Sequence, residues 1–472
     1  MATTTTTRGY WQLPVGMLAG MELVIFGAAL ALAARLPQII DSAVPIARDM
    51  SGSLPSALLF LTAMCVAMAA MGLYNVRQVL KPAGLLVRIT VAATGGTVVV
   101  GLISRLVPDL YLSGEVLLGG AALVIAGSFS WHTVLDRIAR DNAFKRRVVV
   151  YGAGRRAANL MQLPARRDQR GLNIAGYIPS VGDDGETSAV PTDRRIELRT
   201  SLHEYCRVNA ISEIVVAMDD SRWGIPFNAF LECRLAGVTV TELTAFLERE
   251  TGKVRVDLAH PGWTMFATGF GFRRNSWQSQ LERAVDVSAS LVLLALTWPV
   301  MILTVLAIKL EDGARAPVLY RQVRVGERGQ TFQLLKFRSM REDAERDGAR
   351  WATANDTRVT RVGRVIRKLR IDELPQILNV LGGQMSLVGP RPERPEFVSH
   401  LDRTIPFYCE RHTIKPGITG WAQLCYPYGS DETDAAEKLQ YDLFYVKNRS
   451  LLFYLAILLQ TVEVVLCGKG AR

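Results

Sequence analysis

Four apolar stretches occupy the first third of the chain, roughly Leu13–Leu36, Leu54–Tyr74, Gly84–Leu106 and Val116–Leu135. As helices, each is long enough to cross about 30 Å of hydrocarbon. The turn between the second and third carries Arg77 and Lys81 with no acid, and the segment after the fourth carries Arg137, Arg140, Lys145, Arg146 and Arg147. An excess of Lys and Arg marks cytoplasmic flanks, so residues 1–140 are expected to form a four-helix transmembrane bundle with both ends inside. The remaining connections mix Arg48 with Asp41 and Asp49, and Arg105 with Asp109 and Glu115, and belong on the opposite side. The first run is too long for the apolar region of a cleavable leader, and its one cleavage-like pattern, Ala29-Leu-Ala31, lies inside it; it is expected to stay in the membrane.

The period changes after residue 145. Arg147-Val-Val-Val-Tyr-Gly-Ala-Gly-Arg-Arg-Ala157 reads as a β-branched strand running into a Gly-rich turn and a helix, the opening of a Rossmann-like unit. Gly152 and Gly154 allow close backbone approach, and the amides that follow offer a place for a pyrophosphate, which makes them the candidate nucleotide-binding residues. Strand-like runs at Ile174–Ile178 and Ile211–Ala217 alternate with helical patterns such as Asn228–Ala236, giving a Rossmann-like α/β domain over residues 145–260. Tyr177-Ile-Pro-Ser180 ends the second strand where a ribose-binding carboxylate would stand, so a nucleotide-free structural or assembly role is the stronger expectation. The Asp- and Gly-rich loop Ser180–Pro191 reads as a surface excursion.

A fifth apolar run, Ala284–Ile308, is broken at Trp298-Pro299. Arg273, Arg274 and Arg283 precede it and Lys309, Arg315, Arg321 and Arg324 follow it, so both flanks are expected in the cytoplasm. A re-entrant membrane helix over residues 280–310, bent at Pro299, satisfies both; the competing reading is a kinked span that exports everything after residue 310. The tract Ser450–Cys467, flanked by Lys447, Arg449, Lys469 and Arg472, is expected to lie in the interface or on the preceding domain.

Composition sharpens this picture. With 472 residues, 49% hydrophobic and 21% charged, and a mean hydropathy of +0.17, the chain is part membrane and part soluble domain. A net charge of +11 admits nucleic acid, an anionic membrane face or a phosphorylated substrate. The cations gather at membrane flanks and before one pair of acids, which favours the latter two over nucleic acid. Six cysteines without a CxxC pair are expected to be reduced, small buried hydrophobes, with neither a disulfide framework nor a structural zinc.

Residues 316–447 carry the densest chemistry. Asp372-Glu373 precedes a helical apolar pattern of Leu374, Ile377, Leu378 and Leu381, with Pro375 in its first turn. Alone, Asp372 would read as a helix N-cap. However, Arg358, Arg361, Arg364, Arg367, Lys368 and Arg370 lead up to it, many at helical spacing, and such a stripe of cations needs anions. The outer members, such as Arg358, suit lipid headgroups equally well. Phosphoryl transfer requires neutralised phosphates, an in-line nucleophile and usually a divalent ion. Lys336, Arg338 and Arg391 are donors for phosphate oxygens. Asp372 is a carboxylate able to attack phosphorus, and Glu373 can accept a proton or help hold Mg²⁺. The Gly389-Pro390 and Pro416-Gly417 turns are suited to shaping a pocket, with Trp421 to pack on a base or sugar.

The order Lys336-Phe-Arg-Ser-Met340, Asp372-Glu-Leu-Pro-Gln-Ile-Leu-Asn-Val-Leu381, Ser386-Leu-Val-Gly-Pro-Arg-Pro-Glu393 and Lys415-Pro-Gly-Ile-Thr-Gly-Trp-Ala-Gln423, after a Pro-broken helix, closely resembles the bacterial phosphoglycosyl transferases with a re-entrant membrane helix. The resemblance covers about 280–467, and the upstream segments resemble those of the larger polyprenyl-phosphate hexose-1-phosphate transferases of exopolysaccharide synthesis. Arg391-Pro-Glu-Arg-Pro-Glu-Phe397 and Gln460-Thr-Val-Glu-Val-Val-Leu466 resemble the branch found with exosortase systems.

The resemblance implies a multidomain protein of the bacterial inner membrane, with a mainly α-helical catalytic domain over 311–472 that faces the cytoplasm and ends in an interfacial helix. It implies that Asp372 attacks the β-phosphate of a UDP-sugar and contacts Mg²⁺, with Glu373 as its acidic partner. UMP leaves, and undecaprenyl phosphate takes the phosphosugar. Lys336, Arg338 and Arg391 would bind phosphate; Arg370, where many members have serine, adds a cation beside them. Trp298-Pro299 replaces the family's frequent Ser-Pro, so no serine hydroxyl supports the bend. Inner-membrane phospholipids and a second copy meeting at the bundle or α/β domain complete the expected partners. Two other readings stand beside it: a membrane nucleotide sensor or scaffold acting through Gly152 and Gly154, and a retaining glycosyltransferase that would release UDP.

Overall fold

Long runs of Leu, Val and Ala satisfy their backbone donors and acceptors internally as helices. The computed structural model describes residues 12–40, 54–74, 82–139, 146–162, 172–180, 189–219, 225–258, 276–341, 358–426 and 431–466. The first third folds as α1 (Gln12–Ile40), α2 (Leu54–Ala70), α3 (Pro82–Leu106) and α4 (Gly114–Ala139). Both α1 and α3 pack on α2 and α4, around a core that includes Phe26, Phe60, Met64, Ile89 and Val124. Their outer faces stay apolar: Val66, Leu102 and Leu118 are all more than half exposed. Among the described residues, three helices are long and apolar enough to cross a membrane, Pro82–Leu106, Gly114–Leu135 and Trp277–Asp312. At 17 residues, α2 reaches only about 25 Å. The flanking charges Arg48, Arg77, Lys81, Arg140, Lys145, Arg273 and Arg274, and residues 181–188 of the Ser180–Pro191 loop, lie outside the described residues.

Next comes a parallel sheet of β1 (Arg146–Tyr151), β2 (Leu172–Ile178), β3 (Glu213–Val216) and β4 (Thr239–Glu242) in the order β2-β1-β3-β4. Helices α5 (Arg155–Ala158), α6 (Leu202–Val208) and α7 (Phe227–Leu235) lie between the strands, and α8 (Leu243–Thr251) follows the last. Val148, Val149 and Val150 are all fully buried; a strand covered on both faces needs an unbroken apolar run. Strand order reverses between β1 and β3, the place where open α/β sheets leave a crevice.

The chain divides into compact units at 1–246 and 247–472. The boundary falls before residue 260 because residues after α8 join the second unit: Lys253 Nζ meets Glu437 Oε2 at 2.6 Å and Val254 N donates to Gln440 O at 3.0 Å. That unit comprises α9 (Ser276–Asp312), the hairpin β5 (Leu319–Val325) and β6 (Thr331–Phe337), α10 (Arg361–Lys368), α11 (Gln376–Leu381), β7 (Ser386–Val388), α12 (Pro395–Thr404), β8 (Gly417–Thr419), α13 (Trp421–Cys425), α14 (Glu432–Lys447) and α15 (Leu451–Leu466). None of the five described cysteines is in a disulfide; Cys206 and Cys233 are buried and Cys65 half-buried, but Cys409 and Cys425 are exposed, against the expectation of uniformly buried thiols.

The 37-residue α9 continues as one helix through Pro299, and its middle is bare, with Leu296 and Leu303 mostly exposed. Its ends are polar and bonded. Near its start, Glu282 pairs with Arg449, and Arg283 donates to the Val380 and Leu381 carbonyls at 2.5 and 2.6 Å, where a cation suits the C-terminus of α11. Buried Asp286 accepts from Ser386 Oγ at 3.0 Å, Leu387 N at 2.8 Å and Tyr454 Oη at 2.6 Å. At the far end, Glu311 accepts from the Arg361 and Val362 amides at 2.8 and 2.9 Å, capping α10 with negative charge. Asp312 pairs with Arg338 at 2.5 Å.

Asp286 thus joins α9, β7 and α15 through one carboxylate. Replacing it, Asp286→Ala, should lower stability by about 3 kcal/mol, since three buried donors lose their acceptor. A thermal melt in detergent matching that of the parent protein would show that these bonds add nothing net.

Candidate active site

Arg370 adopts a left-handed backbone, φ 60°, and swings the chain out of α10 into a single 3₁₀ turn, Ile371–Glu373. Such a conformation is uncommon for a residue with a side chain and concentrates at functional sites. Pro375, not Asp372, occupies the N-cap of α11. The cap that Asp372 would have made on its own is not formed: the 3₁₀ turn sets Asp372 back from the helix, and its carboxylate accepts no hydrogen bond among the described residues. It is nonetheless 9% exposed, a buried carboxylate without a structural duty.

Its neighbour is fully engaged. Glu373 Oε1 lies 2.6 Å from Arg391 Nη2, 3.4 Å from Lys336 Nζ and 3.8 Å from Arg370 Nη1. Lys336 comes from β6, Arg370 from the turn after α10, and Arg391 from the loop after β7. That loop is held by interlocked glycines: Gly389 N donates to Thr419 O and Gly417 N to Pro390 O, both at 2.9 Å. A Cβ on Gly389 would lie 2.3 Å from Lys415 O, and one on Gly417 2.1 Å from Gly389 N, so backbone meets backbone with no room for a side chain. The Arg391 carbonyl accepts from Arg411 Nη2 at 3.0 Å, and Arg411 is paired with buried Asp442 at 2.7 Å.

The two adjacent carboxyls are driven apart. Burial raises the Asp372 carboxyl above its ordinary range, the Glu373 charge adds to that, and Lys336, Arg367 and Arg370 only partly oppose it. Burial would raise Glu373 too, but Arg391 and Lys336 outweigh it and hold Glu373 well below the usual carboxylate range. Burial lowers the Lys336 ammonium, with Glu373 working against the shift. The result is one fixed anion that gathers cations and one more basic, unencumbered carboxylate beside them, an arrangement suited to nucleophilic attack on a phosphate.

Lys336, Arg370 and Arg391 thus converge on Glu373, and Arg338 does not: it turns to Asp312 and ties β6 to the end of α9. Pro299 lies within α9. Trp421, expected to meet a base or sugar, donates Nε1–H to Gly252 O at 2.8 Å and packs on Phe444 and Phe453, a core role. Sequence reasoning missed Arg411 and Asp442. Their signal was an acid at position 442 on the apolar face of α14 set by Leu439 and Leu443, a core position where charge needs a partner. Among the described residues no group of three or more His, Cys, Asp or Glu could hold a metal.

Gly152 and Gly154 lie in the other unit. Gly152 takes φ 123°, and a Cβ there would come 2.5 Å from Ala217 O. The amides after the turn are already used: Asp219 Oδ2 accepts from Arg155 N and Oδ1 from Arg156 N, both at 2.7 Å. The chain's own carboxylate holds the position a phosphate would take.

A family model described as bacterial sugar transferase matches residues 277–468. The UDP-N-acetylgalactosamine-undecaprenyl-phosphate N-acetylgalactosaminephosphotransferase of Aeromonas hydrophila is 43% identical over 243 residues, 51% of this chain and 55% of that protein. The UDP-glucose:undecaprenyl-phosphate glucose-1-phosphate transferase of Xanthomonas campestris pv. campestris is 29% identical over 371 residues, 75% of this chain and 73% of that protein. Its counterpart of the same name in Caulobacter vibrioides is 43% identical over 192 residues, 40% of this chain and 71% of that protein. The chain thus spans about half the length of the Aeromonas relative.

The opposed shifts predict opposite stability effects. Asp372→Asn removes a buried charge that is costly once ionised, so it should raise the melting temperature above the raised Asp372 pKa and lose that advantage as pH falls through it. Glu373→Gln should cost about 3 kcal/mol, because it strands buried cations. That deficit should persist down through the ordinary carboxylate range and close only below it, since the Glu373 pKa is depressed. Melts across pH test both; equal effects of the two variants at neutral pH would refute the division of roles.

Proposed function

The chain belongs to the bacterial sugar transferase family, and from that premise we propose that it transfers a sugar 1-phosphate from a UDP-sugar to undecaprenyl phosphate, releasing UMP. The observation that carries the reading is the buried Asp372 carboxylate, without a hydrogen bond among the described residues, beside a Glu373 that holds cations from separate elements. An Asp372 oxygen attacks the β-phosphorus; the bond to the bridging oxygen breaks, and UMP leaves with the electron pair. An oxygen of undecaprenyl phosphate then attacks the same phosphorus and returns Asp372 to its carboxylate form. Lys336, Arg370 and Arg391 neutralise the phosphates, and Glu373 keeps those cations in place. Mg²⁺ commonly takes one or two carboxylates plus substrate phosphates, and the free Asp372 carboxylate suits that mode; the ion would neutralise phosphate charge.

The same reading makes this an inner-membrane protein, with α1–α4 as a transmembrane bundle, the parallel sheet as a Rossmann-like domain, and α9 as a re-entrant helix. Bonds at both ends of α9 to one domain support the last point. Arg283, near the start of the helix, and Glu311, near its end, both bond the short run Arg361–Leu381. On α10, exposed Val365 and Leu369 stand among exposed cations Arg361, Arg364 and Lys368, as befits a helix at the headgroups of a cytoplasmic leaflet. Starting a lipid-linked glycan such as an exopolysaccharide is the role that follows. A nucleotide sensor working through Gly152 and Gly154 is less well supported, because Asp219 takes the donors it would need.

Purified protein with Mg²⁺, a UDP-sugar and polyprenyl phosphate should release UMP, in a screen across sugars. Asp372→Asn should lower release by on the order of a thousandfold or more. Robust release by that variant would remove Asp372 as nucleophile, and release of UDP would indicate a retaining glycosyltransferase. A reporter fused after Arg472 should behave as cytoplasmic; periplasmic activity would mean that α9 crosses.

A further inference from the structure

Beyond the catalytic carboxylates the second unit contains a cleft of about 90 Å³. One water needs roughly 15 Å³ of such space, so the cleft has room for a small ring. Arg391 belongs to both places: its Nη2 bonds Glu373 at 2.6 Å, and it also lines the cleft. Any ligand whose phosphates lie at Arg391 can therefore extend a neighbouring group into the cleft. Phe397, Tyr408 and Tyr426 supply aromatic surface there, and Gln423 supplies an amide.

Three acids also line the cleft, and each is committed elsewhere. Asp442 is paired with Arg411 at 2.7 Å, Glu393 with Arg324 at 3.5 Å, and Asp431 caps its own helix by accepting from Asp434 N at 2.7 Å. Gln423 differs: its Nε2 is buried and has no hydrogen-bond partner among the described residues. A buried amide donor left unmade is costly, of the order of a hydrogen bond or more, and such groups call for an explanation. A carbonyl acceptor brought by a ligand supplies one.

We propose that this cleft is the base subsite, in which Gln423 hydrogen-bonds the uracil ring of the UDP-sugar between aromatic walls. The assignment rests on the reaction proposed above. The uracil edge presents carbonyl acceptors beside an N–H donor, the complement of a side-chain amide, which offers an N–H donor beside a carbonyl. Its π-face suits Phe397 and Tyr426. A sugar ring would instead ask for several acceptors for its hydroxyls, whereas the buried Gln423 N–H calls for an acceptor on the ligand, which the uracil carbonyls supply. The polyprenyl chain needs a long apolar path, which a cleft lined by Arg391, Asp442 and Glu393 does not provide.

The subsite can be tested by binding, without turnover. In full-length protein reconstituted in nanodiscs, UMP and ribose 5-phosphate are titrated calorimetrically against the parent protein and Gln423→Met, which keeps the side-chain volume and removes the amide. Gln423→Met should weaken UMP about tenfold, one buried hydrogen bond, and leave ribose 5-phosphate unchanged. Its melting temperature without nucleotide should be equal or higher, because an unsatisfied buried donor is gone. Unchanged UMP affinity would overturn the assignment; so would equal losses for both ligands, or a lowered melting temperature, which would make Gln423 a structural residue. Gln423→Glu, which keeps the shape and loses the donor, should weaken UMP in the same way and guards against a single unstable variant. If the parent protein released no UMP from any UDP-sugar yet showed this base-dependent binding, the transfer reaction would fail and the subsite would stand.

Discussion

One oxygen of Glu373 organises the second unit. Lys336, Arg370 and Arg391 come from a strand, a helix-end turn and a glycine-bound loop, and their mutual repulsion in a buried site would drive them apart without a fixed anion between them. The anion survives burial only because the cations are there, which is the usual condition for a buried ion pair. The same charge acts on its neighbour in the opposite sense. It adds to the rise that burial gives the Asp372 carboxyl, so the residue that holds these cations in place also makes the adjacent carboxylate more basic. Structure and reactivity are here two consequences of one charge distribution.

A second constraint sits at the ends of α9. The apolar middle of the 37-residue helix is exposed among the described residues, and polar bonds at its ends hold it to the rest of its unit. Asp286 and Arg283 fasten the start to β7, α15 and the end of α11, and Glu311 and Asp312 fasten the finish to α10 and β6. The two attachment points flank the turn that carries Asp372. Whatever sets the position of α9 therefore also sets the position of the turn that carries Asp372.

Much of the fold was legible because it rests on periodicity. The four apolar stretches, the β-branched run before Gly152 and the Pro-broken segment each predict an element from residue type alone, and α1–α4, β1 and α9 lie where expected. The pairing of charges was not legible in the same way. Arg338 stands two residues from Lys336, just past the end of β6, and by residue type both look like phosphate ligands; only the fold reveals that Asp312 waits for one and Glu373 for the other. Trp421 was misjudged for a related reason: an aromatic residue beside a Pro-Gly turn suits a core as well as a ligand, and here Phe444 and Phe453 complete the core. The left-handed Arg370 left no mark in the sequence, because backbone geometry of that kind is imposed by surrounding contacts and not by an arginine's own preference.

The Gly152 turn shows where motif reading needs chemistry beside it. Glycines at that spacing expose amides and permit close approach, but they do not specify what approaches. Asp219, at the end of the adjoining strand β3, places a carboxylate on the Arg155 and Arg156 amides with the geometry a phosphate oxygen would use. The contrast with the other unit is then physical: the amides after Gly152 have an internal acceptor, whereas the buried Gln423 Nε2 has no acceptor among the described residues. Donors satisfied from within gain little from an incoming anion, whereas a buried amide donor without a partner carries a cost that an incoming acceptor would relieve.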